Sequence, residues 1–180
     1  MAKENYTQYA LLGLLTTDCR TGYAIKRMID NSLNHFWKIS YGQIYPMLKL
    51  LVEKGYATVE DLAQDGKPDK KEYSITPKGE QVLKDWIKQP ISDLPVEKNE
   101  VLLKLFFGRH QDTVTTLHQL DAYKEKLIQR RETYENIRRM IETQSHDKKD
   151  APFWLLTLDY GLRTTQAAID WCTAAKKTLS

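Results

Sequence analysis

The sequence predicts a mainly α-helical protein that carries one small β-hairpin. Apolar residues recur every three or four positions through most of the chain, and side chains alternate in character only between residues 56 and 76. A linker with two prolines at residues 89–95 separates two helical parts. The chain has 180 residues, of which 41% are hydrophobic and 28% charged, as in globular proteins. We therefore expect two domains, residues 1–90 and 91–180.

Two helices are predicted before residue 34. The first covers residues 6–16, and its apolar side chains lie on almost every side, which is typical of a buried helix. The second begins at Thr21, because threonine is a common helix N-cap, and Tyr23 lies in its first turn. A short loop at residues 34–39 follows this helix.

The third predicted helix spans residues 40–54. Ser40 and Gln43 fit a capping box, and Gly55 stands where a glycine commonly ends a helix. Its apolar stripe is formed by Ile44, Leu48, Leu51 and Val52. Pro46 conflicts with this interpretation, because proline removes a hydrogen bond inside a helix. Either the helix starts later than residue 40 or its first turns are distorted.

A β-hairpin is predicted after Gly55, with strands at residues 56–61 and 71–76. The turn between them is cationic, with Lys67, Lys70 and Lys71 expected at its tip. Thr76 and Pro77 then open a fourth helix, as an N-cap followed by a proline at the first helical position.

Three further helices are predicted at residues 97–108, 111–145 and 152–177. In the first of them, Val101, Leu102, Leu105 and Phe106 are expected to face inward. The two long helices carry apolar residues at the spacing of a helix-packing seam, which makes this half a candidate dimerisation domain. The seam residues are Leu120, Leu127, Tyr134, Ile141, Leu155, Leu158, Leu162 and Ile169. The seam can pack within one chain or against a second chain, and we expect both.

Three helices, a hairpin and a closing helix are the parts of a winged helix-turn-helix, in which the third helix enters the DNA major groove. The candidate DNA-binding residues lie on the second helix, the third helix and the hairpin: Thr21, Tyr23, Ser40, Tyr41, Gln43, Tyr45, Lys49, Lys67, Lys70 and Lys71. Tyrosine and serine hydroxyls can donate to phosphate oxygens, and lysines release counterions from the backbone. For Gln43, helix capping and a bidentate pair with adenine remain equal alternatives.

Several segments resemble the PadR family of transcriptional regulators. They are residues 9–15 (YALLGLL), 21–25 (TGYAI), Phe36 and Trp37, 43–48 (QIYPML), and 71–76 (KEYSIT) followed by Gly79. The run QIYP is the most specific. The hairpin resembles the virulence-activator branch of the family, and the second half is similar to that branch and to the phenolic-acid repressors in length and helical layout.

The resemblance implies a homodimer held by the C-terminal helices and bound to a near-palindromic operator, which we expect it to repress. It also implies a small aromatic effector near the junction of the two parts, for which Tyr9, Trp37 and Trp154 are candidate contacts. Two alternatives stay open: an activator that works with a partner regulator without a ligand, and a helical protein-interaction adaptor that has lost DNA binding.

Other classes of protein find little support in the sequence. Catalytic motifs, cofactor motifs and metal-spaced clusters are not recognisable, so we predict no enzyme, no cofactor and no metal. Cys19 and Cys172 are expected to be free thiols. The first residues do not resemble a secretory segment and no stretch is long enough to span a bilayer, so we expect a cytoplasmic protein.

Overall fold

A computed structural model describes residues 5–62, 70–91, 94, 97–144 and 149–179. The chain divides into two compact units, Met1–Leu94 and Pro95–Ser180. The predicted fold class, a mainly helical chain with one antiparallel hairpin, is confirmed. No helix in the described part of the chain combines the length and hydropathy that crossing a bilayer would require.

The first unit is built on three helices, α1 (Tyr6–Leu15), α2 (Gly22–Asn31) and α3 (Tyr41–Glu53), with a 3-10 turn at Leu33–His35. The second helix is thus shorter than its pattern indicates, and part of the expected loop is a 3-10 turn. The core residues come from all three helices and include Leu11, Leu12, Ile25, Ile29, Ile44, Leu48 and Leu51, each at most 1% exposed. This packing fixes α3 against the other two helices.

Helix α3 begins ahead of its proline. Pro46 lies inside the helix, so the first turns are helical despite the missing N–H, and a later start is excluded. At the other end Gly55 has a φ of 70°, a conformation that glycine adopts without steric cost. The N–H of Gly55 donates to the carbonyl of Val52 (2.9 Å) and the N–H of Tyr56 to that of Leu51 (2.8 Å). These two bonds form the Schellman motif that the glycine predicts.

The hairpin consists of β1 (Ala57–Leu62) and β2 (Lys70–Ile75), which pair antiparallel with Ala57 opposite Ile75. Thr21 adds an isolated antiparallel bridge to Glu72, so the segment before α2 lies beside β2. The backbone N–H of Tyr73 donates to the carbonyl of Arg20 at 2.7 Å. The hairpin is therefore attached to the beginning of α2.

Helix α4 (Pro77–Ile87) begins as the sequence predicts. The Thr76 hydroxyl accepts from the N–H of Gly79 (3.1 Å) and donates to the carbonyl of Gly55 (2.8 Å). Gly79 lies so close to Tyr56, the residue before β1, that a Cβ added to it would be 2.1 Å from the Tyr56 carbonyl oxygen. Only glycine fits this contact, which holds α4 against the hairpin.

The second unit contains α5 (Glu100–Phe106), a 3-10 turn at Gly108–His110, α6 (Thr113–Gln144) and α7 (Ala151–Leu179). Helix α5 starts later than predicted because Asn99 caps it, with its Oδ1 accepting from the N–H groups of Val101 (3.0 Å) and Leu102 (3.3 Å). The expected inward face is wrong for Leu102 and Phe106, which are 50% and 83% exposed. A helix of two turns contacts α6 along one narrow side and leaves the rest uncovered.

Helices α6 and α7 pack antiparallel along the predicted seam. Leu120, Leu127, Tyr134, Leu158, Leu162 and Ile169 are each at most 9% exposed within the single chain. Gly161 permits close contact there, since a Cβ added to it would be 2.9 Å from Cε2 of Tyr134. Polar side chains also cross between the helices, among them Lys124 to Thr173 (2.9 Å) and Arg131 to Gln166 (2.5 Å).

Candidate nucleic-acid interface

One side of α3 is buried and the other is open to solvent. Ile44, Met47, Leu48 and Leu51 form the buried side. On the open side, Tyr41 is 49% exposed, Tyr45 is 60% exposed and the Lys49 side chain is 81% exposed. Lys49 Nζ lies 3.8 Å from Glu53 Oε1, a contact that solvent weakens at such exposure. The α3 helix thus offers polar side chains on a side that is open to solvent.

The side chain of Gln43 takes part in the N-terminal cap of α3. Its Oε1 accepts from the backbone N–H of Ser40 at 3.1 Å. This contact corresponds to helix capping, one of the two roles expected for Gln43. A bidentate pair with adenine needs both the oxygen and the amide nitrogen of glutamine. Gln43 and Ser40 are both exposed, so the cap lies on the open side of α3.

The start of α2 presents one half-buried and one open candidate. The Thr21 hydroxyl accepts from the N–H of Ala24 at 3.1 Å, so it caps the helix, and the residue is half-buried beside the hairpin. Tyr23 is 71% exposed and forms no part of the core. Of the two, Tyr23 has the freer side chain for an external contact.

Of the three lysines predicted at the hairpin tip, the structure describes the side chain of Lys71 alone. Lys67 lies outside the described residues, and Lys70 is placed only as the first residue of β2. Lys71 is not at the tip: it lies within β2 opposite Asp61, and its Nζ is 3.9 Å from Asp61 Oδ1. Asp61 partly offsets the charge of Lys71, but solvent weakens this contact because both side chains are more than 60% exposed.

Two tyrosines near α3 have perturbed pKa values. A hydrogen bond to Asp30 raises the pKa of Tyr41, with smaller contributions from desolvation and from the Asp30 charge. Burial is the main cause of the raised pKa of Tyr73, which is 7% exposed beneath the hairpin. The role of Asp30 was missed by sequence reasoning, because an acid eleven residues before Tyr41 has no local motif.

The proposed effector contacts lie in different units. Tyr9 stacks on Trp86, with ring centroids 4.5 Å apart and planes 5° from parallel. Trp37 is 41% exposed and meets Tyr6 edge-to-face at 5.3 Å. Trp154 is half-buried on α7 in the second unit. The first unit therefore has an aromatic cluster of Tyr6, Tyr9, Trp37 and Trp86.

The predicted dimerisation seam is largely used inside the chain. Six of its residues are buried within the single chain, and Ile141 and Leu155 are half-buried. Other apolar side chains remain open in two groups: Leu102, Leu103, Phe106 and Phe107 near α5, and Phe153, Leu156 and Tyr160 on α7, each at least 50% exposed. We call the three α7 residues the outer apolar surface.

Metal-ligand clusters of three or more His, Cys, Asp or Glu residues do not occur among the residues the structure describes. Cys19 is half-buried and Cys172 is buried, and both are free. Desolvation raises the pKa of Cys172, which keeps its thiol protonated.

Two protein-family models match the chain. Residues 11–85 match the transcriptional regulator PadR-like family, and residues 97–180 match the family described as virulence activator alpha C-term. The first match covers α3 and the hairpin, and the second covers α5 to α7.

Individual relatives match along nearly the whole chain. The Bacillus subtilis protein named negative transcriptional regulator PadR is 32% identical over 91% of this chain and 92% of its own. A crystal structure of Bacillus subtilis PadR in complex with operator DNA is similar with a TM-score of 0.86 and 25% identity, covering 98% of this chain and 100% of the other. The Vibrio cholerae virulence activator AphA is similar with a TM-score of 0.73 and 27% identity, covering 96% of both chains.

Proposed function

The chain belongs to the PadR-like family of transcriptional regulators, and we propose that it is a homodimeric repressor that binds a specific operator sequence. Membership confirms the resemblance found in the sequence. The DNA-binding residues, the dimer and the direction of regulation are parts of the proposal.

The observation that carries DNA binding is the two-sided character of α3. Four apolar residues anchor the helix in the core, while Tyr41, Tyr45 and Lys49 face solvent. The major groove admits one α-helix and displays a distinct pattern of donors and acceptors for each base pair. A helix held along one side and polar on the other suits that role, and the similar Bacillus subtilis protein has been crystallised with its operator.

Dimerisation is supported by the outer apolar surface. Phe153, Leu156 and Tyr160 recur at spacings of three and four, so they lie along one side of α7, and each is at least 68% exposed. Apolar side chains grouped in this way favour a protein partner, and two-fold pairing is the commonest symmetry of soluble oligomers. Two copies would place their α3 helices on half-sites about 34–36 Å apart, which requires a near-palindromic operator.

Repression is favoured by the relative named as a negative regulator, which aligns with nearly the whole chain. Activation is the second candidate, because residues 97–180 match a virulence-activator model and AphA is similar in fold. Transcription from a promoter that carries the operator, measured with and without the protein, distinguishes the two.

A small aromatic acid is proposed as the effector that releases DNA. The aromatic cluster of the first unit offers partly exposed ring surface at Trp37, while Tyr9 and Trp154 are separate candidate contacts. Binding can lower operator affinity only if the ligand prefers the conformation that does not bind DNA. Saturable quenching of tryptophan fluorescence by phenolic acids, weakened by Trp37→Phe, supports this part, and a flat titration contradicts it.

Selection of bound fragments from a genomic or random DNA library tests the proposed function as a whole. We expect recovered sites with two related half-sites spaced by one helical turn. Recovery without sequence enrichment would contradict operator recognition. Complete failure to retain duplex DNA would favour the adaptor alternative, in which the fold serves protein contacts alone.

A further inference from the structure

The first residue of α3 is tied to α2 by a chain of hydrogen bonds. The Tyr41 hydroxyl lies 2.6 Å from both carboxylate oxygens of Asp30 and donates its proton to them. Asn34 Nδ2 donates to Asp30 Oδ1 at 3.0 Å, and Asn34 Oδ1 accepts from the backbone N–H of Ile39 at 3.1 Å. We call Asp30, Asn34, Ile39 and Tyr41 the Asp30 network.

A cation fixes the same ring from another direction. Lys26 Nζ lies 4.1 Å from the centroid of the Tyr41 ring, in a cation–π contact. Asp30 is half-buried, whereas Tyr41 is 49% exposed. The hydrogen bond to Asp30 raises the pKa of Tyr41, so the hydroxyl stays protonated at neutral pH. The ring is therefore held at two points and still reaches solvent.

This arrangement limits what the hydroxyl can offer to DNA. A phenol has one proton to donate, and that proton is already used by Asp30. Phosphate oxygens only accept hydrogen bonds, so Tyr41 has no donor for them. The phenol oxygen can still accept. In the major groove the exposed donors are the N6 amino group of adenine and the N4 amino group of cytosine.

We propose that Tyr41 is a specificity-determining residue that accepts a hydrogen bond from the amino group of adenine or cytosine, and that Asp30 is the positioning residue that orients it. The inference rests on the proposed function, because it requires α3 to enter the major groove. It reverses the role expected from the sequence, in which the Tyr41 hydroxyl donates to phosphate.

The carboxylate of Asp30 should increase discrimination among DNA sequences while it lowers affinity for DNA in general. A negative charge beside a DNA-binding helix repels phosphates and lowers affinity for every duplex. Removing the carboxylate should therefore strengthen binding to random DNA while it weakens discrimination. A residue that only stabilised the fold would change both affinities in the same direction.

The experiment measures affinities of the full chain for the selected operator and for duplexes that carry each single base-pair change. For Tyr41→Phe, which keeps the ring beside Lys26, we expect the preference at one A·T or C·G position to fall about fivefold to tenfold, the value of one hydrogen bond. Preferences elsewhere stay unchanged. An equal loss of affinity for all duplexes, including random DNA, would identify a phosphate contact and overturn the inference.

Asp30→Ala should lose preference at the same position and bind random duplex more tightly. Asp85→Ala is the matched control, because Asp85 is an exposed acid of the same unit whose carboxylate accepts from Gln81. Amide exchange of Ile39 in the free protein should accelerate in Asn34→Ala, as the network requires. An unchanged exchange rate would contradict the hydrogen bond between Asn34 and Ile39 on which the Asp30 network depends.

The outcomes separate the two levels of the proposal. If the unmodified protein discriminates among duplexes but Tyr41→Phe keeps every preference, the Tyr41 inference fails and operator recognition stands. If the unmodified protein prefers no sequence, the proposed function fails and the inference fails with it.

Discussion

The ring of Tyr45 occupies the space beside Gly22 that a side chain would need. A Cβ built on Gly22 would lie 2.6 Å from Tyr45 Cε1 and 2.8 Å from its hydroxyl oxygen. Gly22 is the first residue of α2, and Tyr45 lies on the open side of α3. The beginning of α2 thus sets the direction of an exposed tyrosine on the helix proposed to read DNA.

Replacing Gly22 with Ala should move that ring. Tyr45 is 60% exposed and can rotate away, so we expect little change in the unfolding free energy but weaker operator binding, by about fivefold to tenfold, the value of one lost hydrogen bond. Thermal unfolding and DNA titrations measure the two effects. Gly13→Ala is the control, because a Cβ at Gly13 meets no atom within 4 Å and should leave DNA affinity unchanged. Unaltered operator binding in Gly22→Ala would exclude Tyr45 from the interface.

Joint replacement of Lys67, Lys70 and Lys71 by Ala should weaken binding to all sequences. Each phosphate contact contributes about −0.9 to the slope of log affinity against log salt, so the slope should flatten by about 1–3 for each protomer. Anisotropy titrations at several salt concentrations measure it. A triple variant of Lys88, Lys98 and Lys126, exposed lysines outside the proposed interface, removes the same charge and should keep the slope. Equal slopes for both variants would contradict a role for the hairpin.

Gln43→Glu separates capping from base recognition. Glutamate keeps an oxygen that can accept from the Ser40 N–H, so helix stability should be preserved. It lacks the amide donor, so a bidentate pair with adenine is impossible and discrimination at that base pair should fall by about 1–3 kcal/mol. Melting curves and single-substitution duplexes provide the measurements. If sequence preference is untouched, Gln43 serves only as a cap.

Phe153→Asp combined with Leu156→Asp should convert a dimer into a monomer. Both side chains are 68% exposed in the single chain, so the charges would disrupt association without entering the core. Sedimentation reports the oligomeric state and circular dichroism reports the helix content. Ile87→Asp, which alters a 65% exposed apolar residue on α4, is the control. A dimer that survives the double change would place the interface elsewhere.

Gly161→Ala should destabilise the packing of α6 on α7. The new methyl group would meet the Tyr134 ring, which is only 5% exposed and has little room to move. Overpacking costs about 1–3 kcal/mol, against a gain of about 1 kcal/mol in helix propensity. Urea unfolding measures the balance. Increased stability would mean that the ring repacks freely.

Patterns within a few residues of one another determined much of this protein from the sequence alone. Gly55, Thr76 and the apolar spacing of α3 act through local hydrogen bonds and helical periodicity, so the helix-hairpin-helix order was predictable. The same local reasoning placed Ser40 and Gln43 in one cap. Family motifs along the first half then pointed to DNA.

Tertiary structure alone decided which side chains remain available for contacts with DNA or with a second subunit. Asp30 contacts Tyr41, which lies eleven positions later in the chain, and Asp61 lies opposite Lys71 in the hairpin. The absence of a side chain at Gly22 leaves room for the ring of Tyr45. The long seam is filled from within one chain, which leaves other apolar residues of α5 and α7 uncovered. Such contacts depend on how separate helices and strands pack against one another, so they cannot be predicted from the spacing of residues along the chain.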